Sequence, residues 1–506
     1  PDWTYDVSAV YGENQYDFTS RNTLNASYAA EYLFNNPGAS DADIAANAGP
    51  TEGYSGGFRF DQTTFNADIN GIIDIGRSEP VYVSIGAEYR KENYEIVPGE
   101  EASYACGTAN TDTSYPSVND PSQFAQCGFQ AYNGLRPEAS NKSDRDSYAV
   151  YVDAETMLSD AWNVSGALRY EDFSNAGDDI IGKVATRYEF NDDFAIRGAL
   201  STGFRAPSLQ QSGYTAFTTN LGSDGTLSQS FTATTGSAFP AALGVDTLKL
   251  ETSTNYSAGF VYDVTSDLSL TVDFYRVEIE DRITLGSLLS ADDVAFSPEA
   301  VAALQATGAV QANYFSNSVN STTQGVDIIA SYRTDLYDGN FSATFAGNLN
   351  ETKIDSVNAA PGIPKNVALD DIQSSFLTDG QPGERATLTF DYERDSYSSM
   401  IRFNYFGETD VKYFANDHIE LATDGSFKAT STVETAVLVD LNVSYEINEM
   451  FSLSVGADNV FDETPDELGD DEVLNAISNG AFKYPLRAVP YGFDGRSYYA
   501  KLSFSF

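Results

Sequence analysis

Residues able to do covalent chemistry are scarce in this chain. Its 506 residues include one histidine and two cysteines. Nucleophilic catalysis needs an activated side chain, usually with a histidine base beside it. His418, in Asn416-Asp417-His418-Ile419-Glu420, is the single histidine, and no Gly-x-Ser-x-Gly elbow marks a hydrolase nucleophile. A surface lipase or protease is therefore disfavoured, and no catalytic residue is assigned. Cys106 and Cys127 share a Gly/Pro/Ser/Asn-rich stretch, roughly 97–142. An isolated pair in such a loop is read as a disulfide made in an oxidising compartment, with two free thiols as the alternative. Closing a loop of about 20 residues would stabilise it by ~3 kcal/mol. Two cysteines and a distant histidine do not make a zinc site.

The remaining chemistry is recognition. With 74 acidic and 28 basic residues the net charge is −46, which repels nucleic-acid phosphates. Runs such as Asp466-Glu467-Leu468-Gly469-Asp470-Asp471-Glu472 offer the carboxylate oxygens that Ca2+ takes as ligands. Their spacing matches no calcium loop, so solvated turns are the preferred reading and no cofactor is assigned. Tyr214, Phe217, Tyr413, Phe414, His418, Tyr484 and Tyr491 lie in long polar stretches. They are candidate ligand contacts because loops on a rigid scaffold carry recognition; local packing is the competing reading. Acidic loops would disfavour strongly anionic ligands unless calcium bridged them.

The elements that position these loops are strands. At the C-terminus, Tyr498, Ala500, Leu502, Phe504 and Phe506 alternate with Tyr499, Lys501, Ser503 and Ser505. A strand turns successive side chains to opposite faces, so one face is apolar and one polar. The same alternation recurs at Trp3–Tyr11, Leu268–Phe274, Val437–Ile447 and Phe451–Ala457. Counting such runs gives about 16 strands. Short Asp/Asn/Gly/Ser turns alternate with long connections near 12–57, 97–142, 206–250, 284–313, 352–380, 408–433 and 463–493, with one short exception at 173–178. That is the plan of an all-β, antiparallel, transmembrane barrel of the outer-membrane type, with short periplasmic turns and long extracellular loops. Its apolar face meets lipid and its polar face lines a wet interior. Composition agrees: 32 Tyr and 32 Phe against 2 Trp suit aromatic girdles at the two interfaces. Mean hydropathy is −0.31, and no apolar run approaches the ~18 residues of a spanning helix. The stretch 291–309 reads as a brief helix in an outer loop, with Asp292-Asp293 at its start.

Several blocks resemble the TonB-dependent outer-membrane receptors. Ser201-Thr202-Gly203-Phe204-Arg205-Ala206-Pro207-Ser208-Leu209 is similar to the family's mid-barrel GFRAPS block. Leu250-Glu251-Thr252-Ser253 through Gly259 resembles the block that follows, with its Pro-Glu replaced by Leu-Glu. Asp273–Ile283, Asn317–Asp327, Val455–Asp462 and Gly495–Tyr499 resemble later strands. The likeness covers nearly the whole of 1–506, read as one receptor-like barrel domain.

The resemblance implies a plug domain, a TonB-contacting segment and a 22-stranded barrel, so that about six strands and the plug would precede Pro1. No signal peptide opens the chain, and a processed or truncated N-terminus is expected. It further implies uptake of a scarce nutrient across a Gram-negative outer membrane. The ligand would be an iron–siderophore, cobalamin or an oligosaccharide. The partners would be outer-membrane lipid, a TonB-type energy-coupling protein and, optionally, a surface lipoprotein. Alternatives are a passive sixteen-stranded porin and a soluble surface β protein. Gly203 and Pro207 are also read as shaping a strand end, and Arg205 as pairing with a lumen carboxylate. Asn459 and Asp462 are read as shaping a turn. Phe506 is read as a terminal aromatic seen by the assembly machinery and as a lipid anchor.

Overall fold

A computed structural model describes residues 3–108, 125–130, 132–221, 227–290, 296–412, 430–470, 472, 482–485 and 487–505. The alternating runs form strands β1 (Thr4–Arg21), β2 (Glu52–Ile73), β3 (Val81–Val97), β4 (Lys142–Ser159), β5 (Trp162–Phe173), β6 (Gly177–Asn191) and β7 (Phe194–Arg205). A loop pair follows, β8 (Ala216–Leu221) and β9 (Leu227–Ala233). Next come β10 (Glu251–Thr265), β11 (Leu268–Leu285), the short β12 (Leu289–Ser290), β13 (Gln311–Leu336), β14 (Gly339–Val357), β15 (Glu384–Arg394) and β16 (Tyr397–Phe406). Another loop pair, β17 (Thr409–Lys412) and β18 (Thr430–Val433), precedes β19 (Ala436–Asn448), β20 (Phe451–Asp458) and β21 (Ser497–Phe504). The main sheet has 19 strands; removing the loop strands β8, β9 and β12 leaves sixteen in one antiparallel meander from β1 to β21. This agrees with the sequence expectation, strand for strand.

Register turns the alternation into a belt. Tyr5, Ile69, Ile85, Val152 and Leu168 are successive cross-strand partners on β1 to β5. Phe345, Leu388, Phe403 and Val439 continue the pattern on β14, β15, β16 and β19. Val7 is 81% exposed and Leu502 61%; apolar surface on this scale belongs against lipid. Aromatic rings border the belt at the short-turn end, with Trp162 and Tyr188 centroids 6.3 Å apart and Phe451 and Phe504 6.1 Å apart. At the long-loop end, Phe65, Tyr89 and Tyr148 form the matching row. Among the described residues no helix is long and apolar enough to cross a membrane.

The opposite face is polar and is crossed by side-chain bridges. Arg197 on β7 reaches Asp273 on β11 across Gly259 of the intervening β10. Asn442 on β19 donates to Tyr499 Oη on β21, 2.9 Å away, across Gly456. A Cβ at either glycine would occupy the space these side chains use, so the missing side chain is what permits the crossing.

Some boundaries depart from expectation. β1 continues to Arg21 and β2 begins at Glu52, so the first long connection is 22–51. Above the belt the outward positions become polar at Glu13, Gln15 and Asp17, so the two faces lose their contrast while the hydrogen-bond ladder continues. The outer helix is Pro298–Thr307, capped by Ser297 Oγ, which accepts from the Ala300 amide at 3.1 Å, and ended by Gly308 at φ 76°. Asp292 and Asp293 lie outside the described residues. The loop strands β8, β9, β12, β17 and β18 were not expected.

Above the lipid belt, three long loops share a core. Phe239, Leu289, Leu304, Tyr314 and Ile363 pack together from the connections 206–250, 286–310 and 358–383 and the upper end of β13. There β13 pairs in parallel with β9.

Candidate ligand-binding mouth

The block 203–209 builds one side of the mouth. β7 ends at Arg205, Pro207 is fully buried, and Ser208 caps the short helix Leu209–Gly213. Its Oγ accepts from the Gln211 amide at 3.0 Å, while Gln211 Oε1 accepts from the Ser208 amide at 3.0 Å. This reciprocal cap satisfies two end amides. The β5–β6 connection is only 174–176, so the segment after β7 can pass over that low hairpin to β3 and β4. There Arg145 Nη1 donates to the Pro207 carbonyl, and Arg145 Nε donates to Glu92 Oε2 at 2.8 Å. Arg145 and Glu92 are 5% and 8% exposed, so each neutralises a charge that would otherwise be buried alone. Leu209 packs with Tyr94, Ile96 and Leu135.

An aromatic shelf continues from this contact. Phe18 stacks on Tyr132 at 4.6 Å and meets Phe58 edge-on at 5.6 Å. Phe58 lies 6.3 Å from Tyr94 and 6.1 Å from Tyr214. Burial pushes the Tyr214 phenol above its ordinary value.

On the other side of the helix Leu209–Gly213, which contributes Gln211, a 520 Å³ cleft lies between β7, β10, β11 and the helix Asp371–Thr378. Gly203, Phe204, Arg205, Glu251, Arg282 and Phe376 line it, among others. Arg205 Nε pairs with Glu251 Oε2 at 2.7 Å, and the same carboxylate accepts from the Ile283 amide. Glu251 thus holds Arg205, as the lumen-carboxylate reading expected. Arg282 donates to Ser321 Oγ at 3.4 Å. Arg487 lies over the Phe376 ring at 5.1 Å. Of the charged side chains that line the cleft, Arg205 is paired with Glu251, and Arg282 adds one further positive charge.

The structure scatters the candidate contacts read from sequence. Tyr214 joins the shelf. Phe217 packs on Phe231 at 4.8 Å and beneath Arg136 at 4.5 Å. Tyr491 packs on Phe406 at 5.4 Å, and burial with nearby Asp466 and Glu463 pushes its phenol up to about 12. Tyr484 stacks on Phe493, which is 58% exposed. Tyr413, Phe414, His418 and Phe506 lie outside the described residues. Asn459 and Asp462 hold the last loop. Asn459 Oδ1 accepts from the Glu463 amide at 2.9 Å, and Asp462 Oδ1 accepts from the Arg496 amide at 2.9 Å. Sequence reasoning missed Arg136, Arg282, Arg487, Phe58 and Tyr94. The signal for the last two was present: Phe58, Phe60, Tyr94 and Ile96 are apolar or aromatic at lumen positions where the pattern calls for polar residues.

Cys106 and Cys127 are joined in a disulfide. The segment leading into it is tied to the first long loop by Asn25, whose Nδ2 donates to the Ala102 and Ala105 carbonyls at 3.0 and 2.8 Å. Ser27 Oγ accepts from the Gly107 amide at 2.8 Å. Among the described residues no group of three or more His, Cys, Asp or Glu is arranged to hold a metal ion.

Residues 1–460 match the family described as TonB dependent receptor-like, β-barrel. A probable TonB-dependent siderophore receptor, PirA of Acinetobacter baumannii, is 22% identical over 470 residues, covering 88% of this chain and 52% of the relative. The ferrienterobactin receptor of Escherichia coli is 21% identical over 405 residues, covering 79% of this chain and 48% of the relative. The crystal structure of A. baumannii PirA aligns with TM-score 0.58 at 18% identity, over 99% of this chain and 60% of that one. The Pseudomonas aeruginosa ferric enterobactin receptor PfeA, in complex with enterobactin, aligns with TM-score 0.58 at 13% identity over the same shares. The chain spans about half the length of the curated relatives it matches, and identities this low carry the fold alone. With a family match over most of its length and a lipid-belted antiparallel wall, the chain belongs to the TonB-dependent receptor-like β-barrels, a receptor and transporter family of the Gram-negative outer membrane.

Proposed function

We propose that this chain is the barrel portion of a receptor that binds a ferric siderophore at the cell surface and delivers it to the periplasm, driven by a TonB-type partner. The observation that carries the reading is the roofed mouth. Gln211 after β7 and the helix Asp371–Thr378 close a cleft on β7, β10 and β11, and Leu209 of the same segment packs on the aromatic shelf. The family match over residues 1–460 weighs against a passive porin. Within the nutrient classes the family serves, Arg282 in the cleft, beside the Arg205–Glu251 pair, suits a negatively charged iron chelate better than cobalamin or a neutral oligosaccharide. The relatives named as siderophore and ferrienterobactin receptors support the same class. No bond in the ligand need be made or broken, so an enzymatic step has no place in this reading.

The test is a titration of the purified protein in detergent with ferric siderophores and cobalamin, alongside conductance in planar bilayers. Saturable binding of a ferric siderophore with no steady conductance is expected. Steady conductance with no saturable ligand would establish the porin instead.

A further inference from the structure

The outward face of β1 to β4 continues beyond the aromatic row. The positions that carry Ile69, Ile85 and Val152 in the belt, and Phe65, Tyr89 and Tyr148 above it, run on with the same parity to Asp61 on β2, Asn93 on β3 and Asp144 on β4. Glu13 on β1 is the cross-strand partner of Asp61. One outward position higher stand Arg59, Glu95 and Lys142, again successive partners. Side chains of one parity share a face, so both rows look away from the lumen.

These rows line a recess of 370 Å³. Its polar side chains are set in complementary pairs. Asn93 donates to Asp61 Oδ2 at 2.7 Å, and Lys142 Nζ pairs with Glu95 Oε1 at 2.9 Å. An amide, an ammonium and two carboxylates have more donors and acceptors than one bond apiece uses. Arg59 and Asp144, both exposed, add further donors and acceptors. Adjacent donors and acceptors suit the neighbouring hydroxyls of a sugar, because each hydroxyl both gives and accepts. Four carboxylates and two cations line the recess, so its field repels a phosphate and not an uncharged sugar.

Height decides which lipid can reach it. Asn93 lies four residues beyond Tyr89 on an unbroken ladder, which is ~13 Å along the strand and about 10 Å along the membrane normal at the usual tilt. Aromatic girdles sit at headgroup level, and the headgroup layer of one leaflet is about 5–7 Å deep. A phospholipid head stops short of the recess, whereas a head built of linked sugars extends to it.

We propose that the recess on the outer wall of β1 to β4 binds the uncharged sugar headgroup of a glycolipid in the outer leaflet. Asp61 with Asn93 and Glu95 with Lys142 take adjacent hydroxyls, while the acyl chains lie on the belt below Phe65, Tyr89 and Tyr148. The site stands apart from the mouth and does not depend on which nutrient the receptor carries.

The test uses the purified chain in a detergent without sugar, with bound lipid counted by native mass spectrometry. The probes are a digalactosyl diacylglycerol, phosphatidylglycerol and the free galactose disaccharide. The wild type should bind the glycolipid at least about 10-fold more tightly than phosphatidylglycerol or the disaccharide. Asp61→Ala combined with Glu95→Ala should weaken the glycolipid about 10-fold and move phosphatidylglycerol by less than about twofold. Asp144→Ala alone should lose less than the pair. Glu351→Ala, which alters an exposed pair with Lys353 on β14, should leave glycolipid binding unchanged. Heat-modifiable migration of each variant on a gel checks that its barrel is folded. Equal binding of phosphatidylglycerol and glycolipid, wild-type affinity in the double variant, or an equal loss in Glu351→Ala would overturn the proposal. Disaccharide binding as tight as the glycolipid's would overturn the lipid as its source.

Discussion

Along the wall, Ile85, Val152 and Leu168 point apolar side chains outward in register, and polar groups face the lumen. At the mouth the polarity inverts: Phe58, Tyr94, Ile96 and Leu209 are apolar and inward. Both regions use the same period of two. The inversion marks where the lumen stops being a wet lining and becomes a surface that other segments pack upon. It falls at the upper ends of β2 and β3, where the strands rise above the lipid.

The sharpest way to break this contrast is to cut the tie that brings 206–217 inward. Arg145→Ala leaves Glu92 buried without its partner and frees the Pro207 carbonyl. It should destabilise the mouth by about 3–5 kcal/mol, read as faster proteolysis and hydrogen exchange at 206–217 with the wall protected. The wall should fail differently. Ile85→Lys places a charge in the belt and should lower barrel stability by up to about 4 kcal/mol, measured by urea unfolding in lipid vesicles, with the mouth's proteolysis pattern unchanged. Cys127→Ser should destabilise the loop 98–141 by about 3 kcal/mol; cleavage there should rise while β3 and β4 stay protected. The smallest effect is expected at the outer roof. Ser297→Ala removes the cap of Pro298–Thr307 and should cost about 1 kcal/mol, seen as local exchange in that helix alone.

The wall was legible in sequence because lipid and water impose opposite demands on alternate residues, and sixteen repetitions average out local exceptions. Its limits were legible only where that contrast held; β1 was cut short at Gly12 because Glu13, Gln15 and Asp17 face outward above the belt. The loop strands β8 and β9 are six and seven residues long inside the Thr/Ser-rich connection 206–250, too short for their alternation to stand out. Tyr214 was found through its loop, but its place depends on the Ser208 cap and the Arg145–Pro207 contact, which join distant parts of the chain. Arg136 and Arg487 are isolated residues with no local pattern, and Arg282, though inside the Asp273–Ile283 block, carries no signal that sets it apart from the rest of its strand. Glu251 was found through its block, and the structure supplies its partner, Arg205.

The most direct test of the account is uptake of radiolabelled iron from a ferric siderophore by cells carrying this protein, with and without a protonophore. The account predicts saturable uptake that the protonophore abolishes while surface binding persists. Uptake that rises linearly with concentration and ignores the protonophore would contradict it, and would mean that the roofed mouth is not a receptor site.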